Sequence, residues 1–537
     1  MDKRIEAVDY ISELPEHILH HILSFLPIKQ ITRTSALSKT LFQVWKTSPI
    51  LEFNFYALFN GNQDRYYCQD FEIRERNIQQ LYNFVEQILL SRCKQMDNLI
   101  KFTLVVTFIY ERPEMVSTMD RWIGYALKSN AKHLKIQVGP SNDDENYKYC
   151  VPQTVLNAMS IQVLDLSHCK LHLPSIGNIK LPFLKKLSLT VVFADDDVIS
   201  KLIVGSPLIE DMSFITCYGI KSLQIFDLVN LIQFCAKDIV HFERLKMETP
   251  NLHSFTLQGP TWPSVLKVTS LKNLKSLHIF SAPITDKWLY EQLNKFPHLE
   301  CLSLADCPML ESIKISSSSL HKLRIDSCGN VAKLHIDIRN LYVFSYYGDI
   351  ISFSSNNLTL PNVNLYIKSN NMDNSWYTRL IKLLDEFNQC FKMVTLESDT
   401  GENYIIPCEV RKLTPPPLHN VKELKLSMTT NRHRPIAELV DAMLWISPHL
   451  ESLDIINFNV QSSFKFSYQK QIYEEECICY KSTPISCWKN CIKQVKIKQN
   501  FPAVPRREDE CFMQVREREE RNFAFSQDIW ENISDSC

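Results

Sequence analysis

One pattern recurs along most of this chain of 537 residues: an aliphatic residue, two other residues, an aliphatic, one residue, and an aliphatic. The alternation in its second half is that of a strand with one buried face. The leading residues are evenly spaced, with steps of 23 from Ile161 to Leu184, 25 from Leu184 to Ile209, and then 22, 25 and 21 along the run from Leu252 to Leu320. The instances are Leu99/Phe102/Leu104, Ala131/Leu134/Ile136, Ile161/Leu164/Leu166, Leu184/Leu187/Leu189, Ile209/Met212/Phe214, Leu252/Phe255/Leu257, Leu274/Leu277/Ile279, Leu299/Leu302/Leu304 and Leu320/Leu323/Ile325.

A spacing of about 20 to 29 residues is the period of leucine-rich repeats. Each such repeat supplies a strand and a returning segment whose apolar side only its neighbours can cover, so the pattern predicts a stacked solenoid. Four cysteines stand three residues after the last aliphatic, at the turn position that these repeats give to Asn or Cys: Cys169, Cys217, Cys307 and Cys328. We interpret them as buried, unreactive thiols rather than as catalytic or metal-binding groups.

The returning segments 195–210 and 285–300 have helical patterns that end at a proline before the next strand. Asp195, Asp196 and Asp197 could form a metal site, but a helix cap with an acidic first turn is the interpretation we favour. After about Val331 the pattern loses regularity, which predicts strands with shortened returns.

The first part of the chain has a different pattern. Residues 14–27 read LPEHILHHILSFLP and space their aliphatics as a helix does, and two shorter helical patterns follow at 28–38 and 39–45. Three helices of this size bury little surface, and they carry more apolar side chains than their own interior can use. The segment therefore predicts a module that binds a partner.

These residues, with RTSALSK at 33–39 and the closing Trp45, resemble the F-box of plant F-box proteins over about residues 10–55. Where that family usually has Lys-Arg-Trp-Arg, this chain has Lys39, Thr40, Leu41 and Phe42. The resemblance implies a surface that binds a Skp-type adaptor and, through it, a cullin and a RING subunit. It assigns this role to Leu14, Pro15, Ile18, Leu19, Ile22, Leu23, Leu26 and Pro27.

The alternative is that the same residues form only a helical hairpin that packs on itself and binds no partner. His20 and His21, which interrupt the apolar pattern, are expected to face solvent.

The carboxy-terminal part begins at the stiff TPPPL at 414–418, and the segments from there to about residue 500 resemble the FBD region of plant F-box proteins. Four lysines follow in this region, and they could bind phosphate or lie on an edge strand, where charged side chains discourage aggregation. We favour the edge strand for Lys489, Lys493, Lys496 and Lys498. The mixed-charge run beyond them predicts a solvated helix or tail.

The predicted fold class is α+β, with a small three-helix F-box followed by an α/β leucine-rich-repeat solenoid. The predicted domains are the F-box at 10–56, a linker with a helix from about Asn77 to Arg92 at 57–98, the repeats at 99–413, the FBD-like region at 414–500 and a charged tail at 501–537.

Composition excludes several classes of function. The 59 Lys and Arg residues nearly cancel the 60 Asp and Glu residues, which argues against nucleic-acid binding, and no apolar run is long enough to predict a membrane segment. The 17 cysteines, an odd number, are better explained as reduced thiols of the cytoplasm or nucleus. The CxC spacing of Cys477 and Cys479, beside Cys487 and Cys491, does not suit a zinc knuckle.

Only ten glycines occur and no phosphate-binding glycine loop is present, so we expect no nucleotide cofactor. Motifs for hydrolytic chemistry are also absent, so we expect a protein that is not an enzyme. By its resemblance the chain positions an unknown substrate protein for ubiquitination, and a non-degradative interaction scaffold is the alternative. Strand positions between the aliphatics, on the predicted concave face, are the substrate-contact candidates: Ser188, Thr256, His278, Ser303 and Arg324.

Overall fold

The computed structural model describes most of the chain, which divides into two compact units, Met1–Leu274 and Lys275–Cys537. The described residues are 11–59, 71–92, 99–107, 113–139, 148–173, 177–259, 262–269, 271–355, 360–369, 371–390, 392–429, 435–457, 460–466, 492–499 and 521–523. Cys477, Cys479, Cys487, Cys491 and Lys489 lie outside them, as does most of the predicted charged tail.

The first unit begins with three short helices, as predicted: α1 (Glu16–Ser24), α2 (Ile28–Thr34) and α3 (Lys39–Thr47). Pro15 and Pro27 precede α1 and α2 directly, where the missing N–H of proline costs no hydrogen bond. Ser38 caps α3 and accepts a hydrogen bond from the Leu41 amide at 3.1 Å. The helices bury Leu19, Leu23, Ile28, Ile31, Leu41, Val44 and Trp45.

The rest of this unit alternates strands with other segments. Its further helices are α4 (Phe55–Leu58), α5 (Phe71–Arg92), α6 (Pro113–Lys128) and α7 (Asp196–Val204). Its strands are β1 (Ile50–Asn54), β2 (Lys101–Thr107), β3 (His133–Gly139), β4 (Tyr149–Cys150), β5 (Val163–Ser167), β6 (Cys169–Lys170), β7 (Lys186–Thr190), β8 (Asp211–Ile215), β9 (Ser222–Ile225), β10 (Gln233–Lys237), β11 (Arg244–Glu248), β12 (Ser254–Gln258) and β13 (Val265–Thr269).

Parallel pairing joins the main strands of the first unit in the order β1, β2, β3, β5, β7, β8, β10 and β12. The returning segments add a second parallel set, in which β11 pairs with β9 and β13, and a short pair of β4 with β6. Helix α5 begins six residues before the predicted start at Asn77.

The second unit continues with the same kinds of element. Its helices are α8 (Asp286–Leu293), α9 (Asn374–Asp385), α10 (Cys408–Arg411) and α11 (Ile436–Ile446). Its strands are β14 (Ser276–Phe280), β15 (Cys301–Ala305), β16 (Ser312–Ser317), β17 (Lys322–Asp326), β18 (Lys333–Ile338), β19 (Val343–Gly348), β20 (Ser352–Ser355), β21 (Asn362–Ile367), β22 (Met393–Ser398), β23 (Glu423–Met428), β24 (Ser452–Asn457), β25 (Val460–Phe466), β26 (Ile492–Gln499) and β27 (Arg521–Phe523).

Parallel pairing in the second unit runs through β14, β15, β17, β19, β21, β22, β23 and β24. The returning strands β16, β18 and β20 form a second parallel set. Strands β25, β26 and β27 then extend the main sheet beyond β24, each antiparallel to the strand before it.

Every predicted triplet coincides with a main strand, and its aliphatics point into the core. One repeat was missed: Leu231, Phe234 and Ala236 form β10, and alanine in the third place hid the pattern. The strands expected after Val331 are confirmed as β18, β19 and β21, and the returns between β17, β19 and β21 are short. Beyond β21 the main strands stay parallel as far as β24, and the returns that contain α9 and α11 are longer.

The four turn cysteines are buried free thiols, as predicted. Burial raises the pKa of Cys217 to about 12. Each of these cysteines follows a residue in the left-handed region: His168, Thr216, Asp306 and Ser327. Other repeats make the same turn with Val192 or Ala282 in the cysteine's place, so the position selects small apolar side chains rather than reactivity.

The three aspartates at 195–197 begin a helix, as the favoured interpretation predicted. Asp195 caps α7 by accepting from the Val198 amide at 2.8 Å, and Asp197 pairs with Lys201. Asp196 has a further role, because its Oδ1 accepts from the backbone amide of Lys221 at 2.7 Å in the following repeat. A capping turn therefore also joins neighbouring repeats.

The prediction of an edge strand for the carboxy-terminal lysines is wrong at Lys496. Strand β26 pairs with β25 on one side and, over 495–497, with β27 on the other. The segment Arg521–Phe523, which the mixed-charge run placed in a helix or tail, is that second partner. A charge pattern marks solvent exposure but does not reveal a distant pairing partner.

Candidate functional site

Helix α1 has an apolar arc that is wider than the core beneath it. Leu19 and Leu23 are buried, at 1% and 3% exposed, and pack inside the helical module. Ile18, Ile22 and Phe25 lie on the adjoining side of the helix and are exposed, at 37%, 42% and 74%. The second set forms a continuous exposed row, which we name the α1 stripe.

The eight residues assigned to adaptor binding therefore fall into two groups, six that a partner can contact and two that are buried. Leu14, Pro15, Ile18, Ile22 and Pro27 are exposed and Leu26 is half-buried, so all six are available to a partner. The assignment of Leu19 and Leu23 to adaptor binding is corrected, because side chains buried inside the module cannot form its contact surface. Helical spacing marks the whole apolar arc but not the line at which the core ends.

Further exposed apolar side chains were not assigned to this surface from the sequence. They include Phe25, Ile11 and Leu37, of which Leu37 is 77% exposed in the turn after α2. Phe25 could have been found, since it follows Ile22 by three residues and so continues the stripe. The helical pattern at 28–38 included Leu37, but α2 ends at Thr34, so the pattern did not indicate that Leu37 is exposed.

Polar contacts hold α1 against α3. Thr47 Oγ1 donates to Glu16 Oε1 at 2.7 Å. His20 Nε2 lies 3.0 Å from both the Val44 carbonyl oxygen and Thr47 Oγ1. His20 is therefore half-buried and structural, contrary to expectation, whereas His21 is exposed as predicted.

The segment that departs from the family pattern still presents an aromatic ring and a cation. Leu41 is buried, whereas Phe42 is 39% exposed and its ring centroid lies 5.9 Å from that of Trp45. Lys46 Nζ lies 4.6 Å from the Phe42 centroid, within the range of a cation–π contact. Phe42, within the altered segment, thus supplies an aromatic ring, and Lys46, four residues further on, supplies a cation beside it.

Arg92, at the end of α5, links that helix to the module. Its side chain is buried, and it donates to the carbonyl oxygens of Trp45 and Ser48, each at 2.6 Å. These carbonyls lie at the carboxyl end of α3, where a cation is favoured by the helix dipole. The α1 stripe therefore sits on a module fastened to the helix that follows it.

The substrate-contact candidates lie on outward strand positions. In the second unit, Ser303 is in register with His278 on one side and Arg324 on the other. Ser303 is only 6% exposed, so a substrate contact at this residue is not supported. Ser188 and Thr256 belong to the first unit, on β7 and β12, and both are half-buried.

Two family models match this chain. The F-box domain model matches residues 11–53, which contain the α1 stripe. The model described as At1g61320/AtMIF1, LRR domain, matches residues 94–266 and 260–503. The chain belongs to this leucine-rich-repeat family. It is an F-box/LRR chain, in which both the F-box and the repeats recognised from the sequence are confirmed.

Relatives from Arabidopsis thaliana share this composition. The F-box/LRR chain is 27% identical to the F-box/LRR-repeat protein At3g18150 over 56% of its own length and 60% of that protein. It is 30% identical to the F-box/FBD/LRR-repeat protein At1g13570 over 39% of its length and 44% of that protein. The chain is 26% identical to the F-box/LRR-repeat protein At5g02910 over 50% of its own length and 52% of that protein. The chain thus spans about half the length of these curated relatives.

A second feature of the F-box/LRR chain lies on the outward side of four adjacent strands in the second unit. Asp326, Tyr347, Tyr366 and Glu397 occupy the same register position on β17, β19, β21 and β22. The two tyrosine rings are stacked, with centroids 6.2 Å apart and planes at 18°. We name these four residues the tyrosine ledge; sequence analysis missed it, since the triplets mark only inward positions.

Hydrogen bonds fix the ledge in place. Tyr347 donates to Glu397 Oε1 at 2.9 Å, and Tyr366 donates to Asp399 Oδ2 at 3.1 Å. Burial and the adjoining Glu397 carboxylate raise the pKa of the Tyr347 phenol, so the hydroxyl keeps the proton that it donates. Both tyrosines are half-buried, so part of each side chain is accessible.

Within the described ranges, no group of three or more His, Cys, Asp or Glu side chains is arranged to hold a metal ion. None of the helices in that part of the chain combines the length and apolarity needed to cross a bilayer.

Proposed function

We propose that this chain is the substrate-recognition subunit of an SCF-type cullin ubiquitin ligase. Its F-box binds a Skp-type adaptor and, through it, the cullin and RING subunits, while its repeats bind a target protein and promote ubiquitination of that target. The observation that carries the proposal is the α1 stripe, an apolar surface within the segment that the F-box model matches.

Burial of the stripe supplies the free energy for adaptor binding. Each exposed aliphatic or aromatic side chain contributes about 1.5 to 3 kcal/mol when it is fully buried, before the cost of association. Ile18, Ile22 and Phe25, with Leu14 and Leu37, are enough for a specific complex on this scale.

The chain contributes positioning and no bond-making step. A bound target raises the effective concentration of its lysines near a charged conjugating enzyme that other subunits recruit. Such a role needs a firm connection between the F-box and the segment that leads to the repeats. Arg92, which fastens α5 to the end of α3, supports this connection.

We place this activity in the cytoplasm or the nucleus. The described cysteines are free thiols, including the buried turn cysteines of neighbouring repeats. Free thiols in this number are usual in a reducing compartment, which supports the assignment.

The test is co-purification of the full chain with a Skp-type adaptor and a cullin. We compare it with an Ile18→Asp/Ile22→Asp double variant, which places charge on the stripe without touching the buried Leu19 and Leu23. A His17→Asp variant is the matched control, because His17 is an exposed residue of the same helix outside the stripe. The intact chain and the control should retain both proteins, and the double variant should lose them.

Failure of the intact chain to retain the adaptor would contradict the proposal and leave a repeat-based scaffold. Retention alone does not separate a ligase receptor from a non-degradative scaffold that uses the adaptor. Proteins captured by the intact chain are therefore followed in cells that lack it. A captured protein that loses ubiquitin and accumulates supports the receptor, and unchanged levels of every captured protein favour the scaffold.

A further inference from the structure

The tyrosine ledge has a carboxylate at each end, and among the described residues a cation pairs with only one of them. At the β17 end, Arg324 lies with its guanidinium carbon 4.9 Å from the Tyr347 centroid, and its Nη2 is 2.8 Å from Asp326 Oδ2. The chain thus holds one of its own guanidinium groups between a tyrosine ring and a carboxylate. This arrangement is an internal example of what such a surface binds.

The β22 end repeats the ring and the carboxylate without the guanidinium. Tyr366 stands in register with Glu397, as Tyr347 does with Asp326. Among the described residues Glu397 forms no ion pair with a lysine or arginine, although it accepts the Tyr347 hydroxyl. On the next strand Glu397 is in register with Ser427, and Lys425 is in register with Thr395.

We propose that this end of the ledge binds an arginine side chain of a partner protein, stacked on Tyr366 and paired with Glu397. The inference rests on the proposed function, because the partner it describes is the target held by the repeats. The charge of the guest matches the Glu397 carboxylate, which has no cation partner among the described residues, and its flat guanidinium matches the half-buried Tyr366 ring.

Arginine fits this site better than lysine does. A guanidinium is planar and is held weakly by water, so it stacks on a ring while its N–H groups face a carboxylate. An ammonium group is compact and strongly hydrated, and it stacks less well. The position of Arg324 on Tyr347 shows that the spacing of these strands accepts the planar group.

The test uses a random dodecapeptide library displayed on phage and selected on the purified full chain, with adaptor retention measured separately. Selections are run in parallel on Tyr366→Leu and Glu397→Gln variants, the second of which keeps an oxygen for the Tyr347 hydroxyl. Tyr290→Leu and Glu409→Gln are matched controls, because both residues are exposed and lie outside the ledge. Circular dichroism and adaptor retention verify that each variant is folded.

We expect arginine to be enriched over the input library on the intact chain and on both controls, and the enrichment to disappear on both ledge variants. Replacing the selected arginine by citrulline, which keeps the shape but not the charge, should weaken binding about tenfold. Replacement by lysine should weaken it as well.

Three results would overturn the inference: no arginine enrichment, enrichment that both ledge variants retain, or equal binding of the lysine peptide. None of these depends on the F-box. Loss of adaptor retention by the intact chain would contradict the proposed function alone, whereas absent enrichment with the adaptor retained overturns only the arginine site.

Discussion

Nη1 of Arg92 donates to the carbonyl oxygen of Trp45 at 2.6 Å, across 47 positions of the chain. The second bond of the same guanidinium, to the Ser48 carbonyl, makes Arg92 a buried clamp on the last turn of α3. It is a polar link between the F-box and helix α5. Arg92 ends the helix that the sequence predicted from about Asn77, but that pattern did not indicate the contact with α3.

Substitution of Arg92 should therefore be costly. Arg92→Met leaves two carbonyl oxygens without their charged donor, and we expect a loss of about 2–3 kcal/mol in the free energy of unfolding of the first unit. Arg92→Lys keeps the charge but not the two guanidinium nitrogens that donate to separate carbonyls, so we expect it to retain only part of the stability that Arg92→Met loses. Urea unfolding followed by tryptophan fluorescence measures both. The exposed Arg33→Met is the control, and equal stability of Arg92→Met and the control would contradict the clamp.

Neighbouring residues of α1 should respond oppositely to truncation. Leu19→Ala removes a buried side chain and should destabilise the module by about 2–4 kcal/mol. Ile18→Ala removes an exposed one and should change stability by less than about 0.5 kcal/mol while weakening adaptor retention. Thermal melts and co-purification separate these effects. Similar melting temperatures for the two variants would show that the division of the apolar residues of α1 into a buried set and the exposed α1 stripe is wrong.

A single aspartate at the start of α8 should stabilise the junction between two repeats. Thr285 caps the helix, and Asp286 accepts from the backbone amides of Glu311 at 3.1 Å and Ser312 at 3.0 Å. We expect Asp286→Ala to cost about 1–2 kcal/mol in urea unfolding, and Asp286→Asn to cost less because one acceptor oxygen remains. Asp197→Ala breaks only a surface ion pair with Lys201 and should cost below about 0.5 kcal/mol.

The buried thiol of Cys217 should make stability fall at alkaline pH. Burial raises its pKa from the ordinary value of 9.0 to about 12, so the thiol of the unfolded chain ionises first. The contribution is complete below pH 9 and is lost as the pH rises toward 12, at up to about 1.4 kcal/mol per pH unit. Cys217→Val copies the occupant of another repeat, Val192, and should flatten this slope with little change at pH 7. Equal slopes for both proteins would exclude the effect.

Local periodicity in the sequence by itself determined much of the fold. The spacing of triplets such as Leu184/Leu187/Leu189 placed strands correctly, because alternate apolar residues can be buried only as one face of a sheet. The helical spacing from Leu14 to Leu26 placed α1 for the same reason. Cys217 and its equivalents followed from the repeat pattern, since one turn recurs wherever the repeat does.

Tertiary structure alone decided what each apolar residue meets. It buried Leu19 and exposed Ile18. It formed six of the returning segments into strands of two secondary sheets, and it paired β26 with a strand on each side. It also brought Tyr366 beside Glu397, from strands 31 residues apart at those positions. A sequence records which side chains are apolar, whereas burial depends on the neighbouring element that covers them, and that neighbour is set by packing across many repeats.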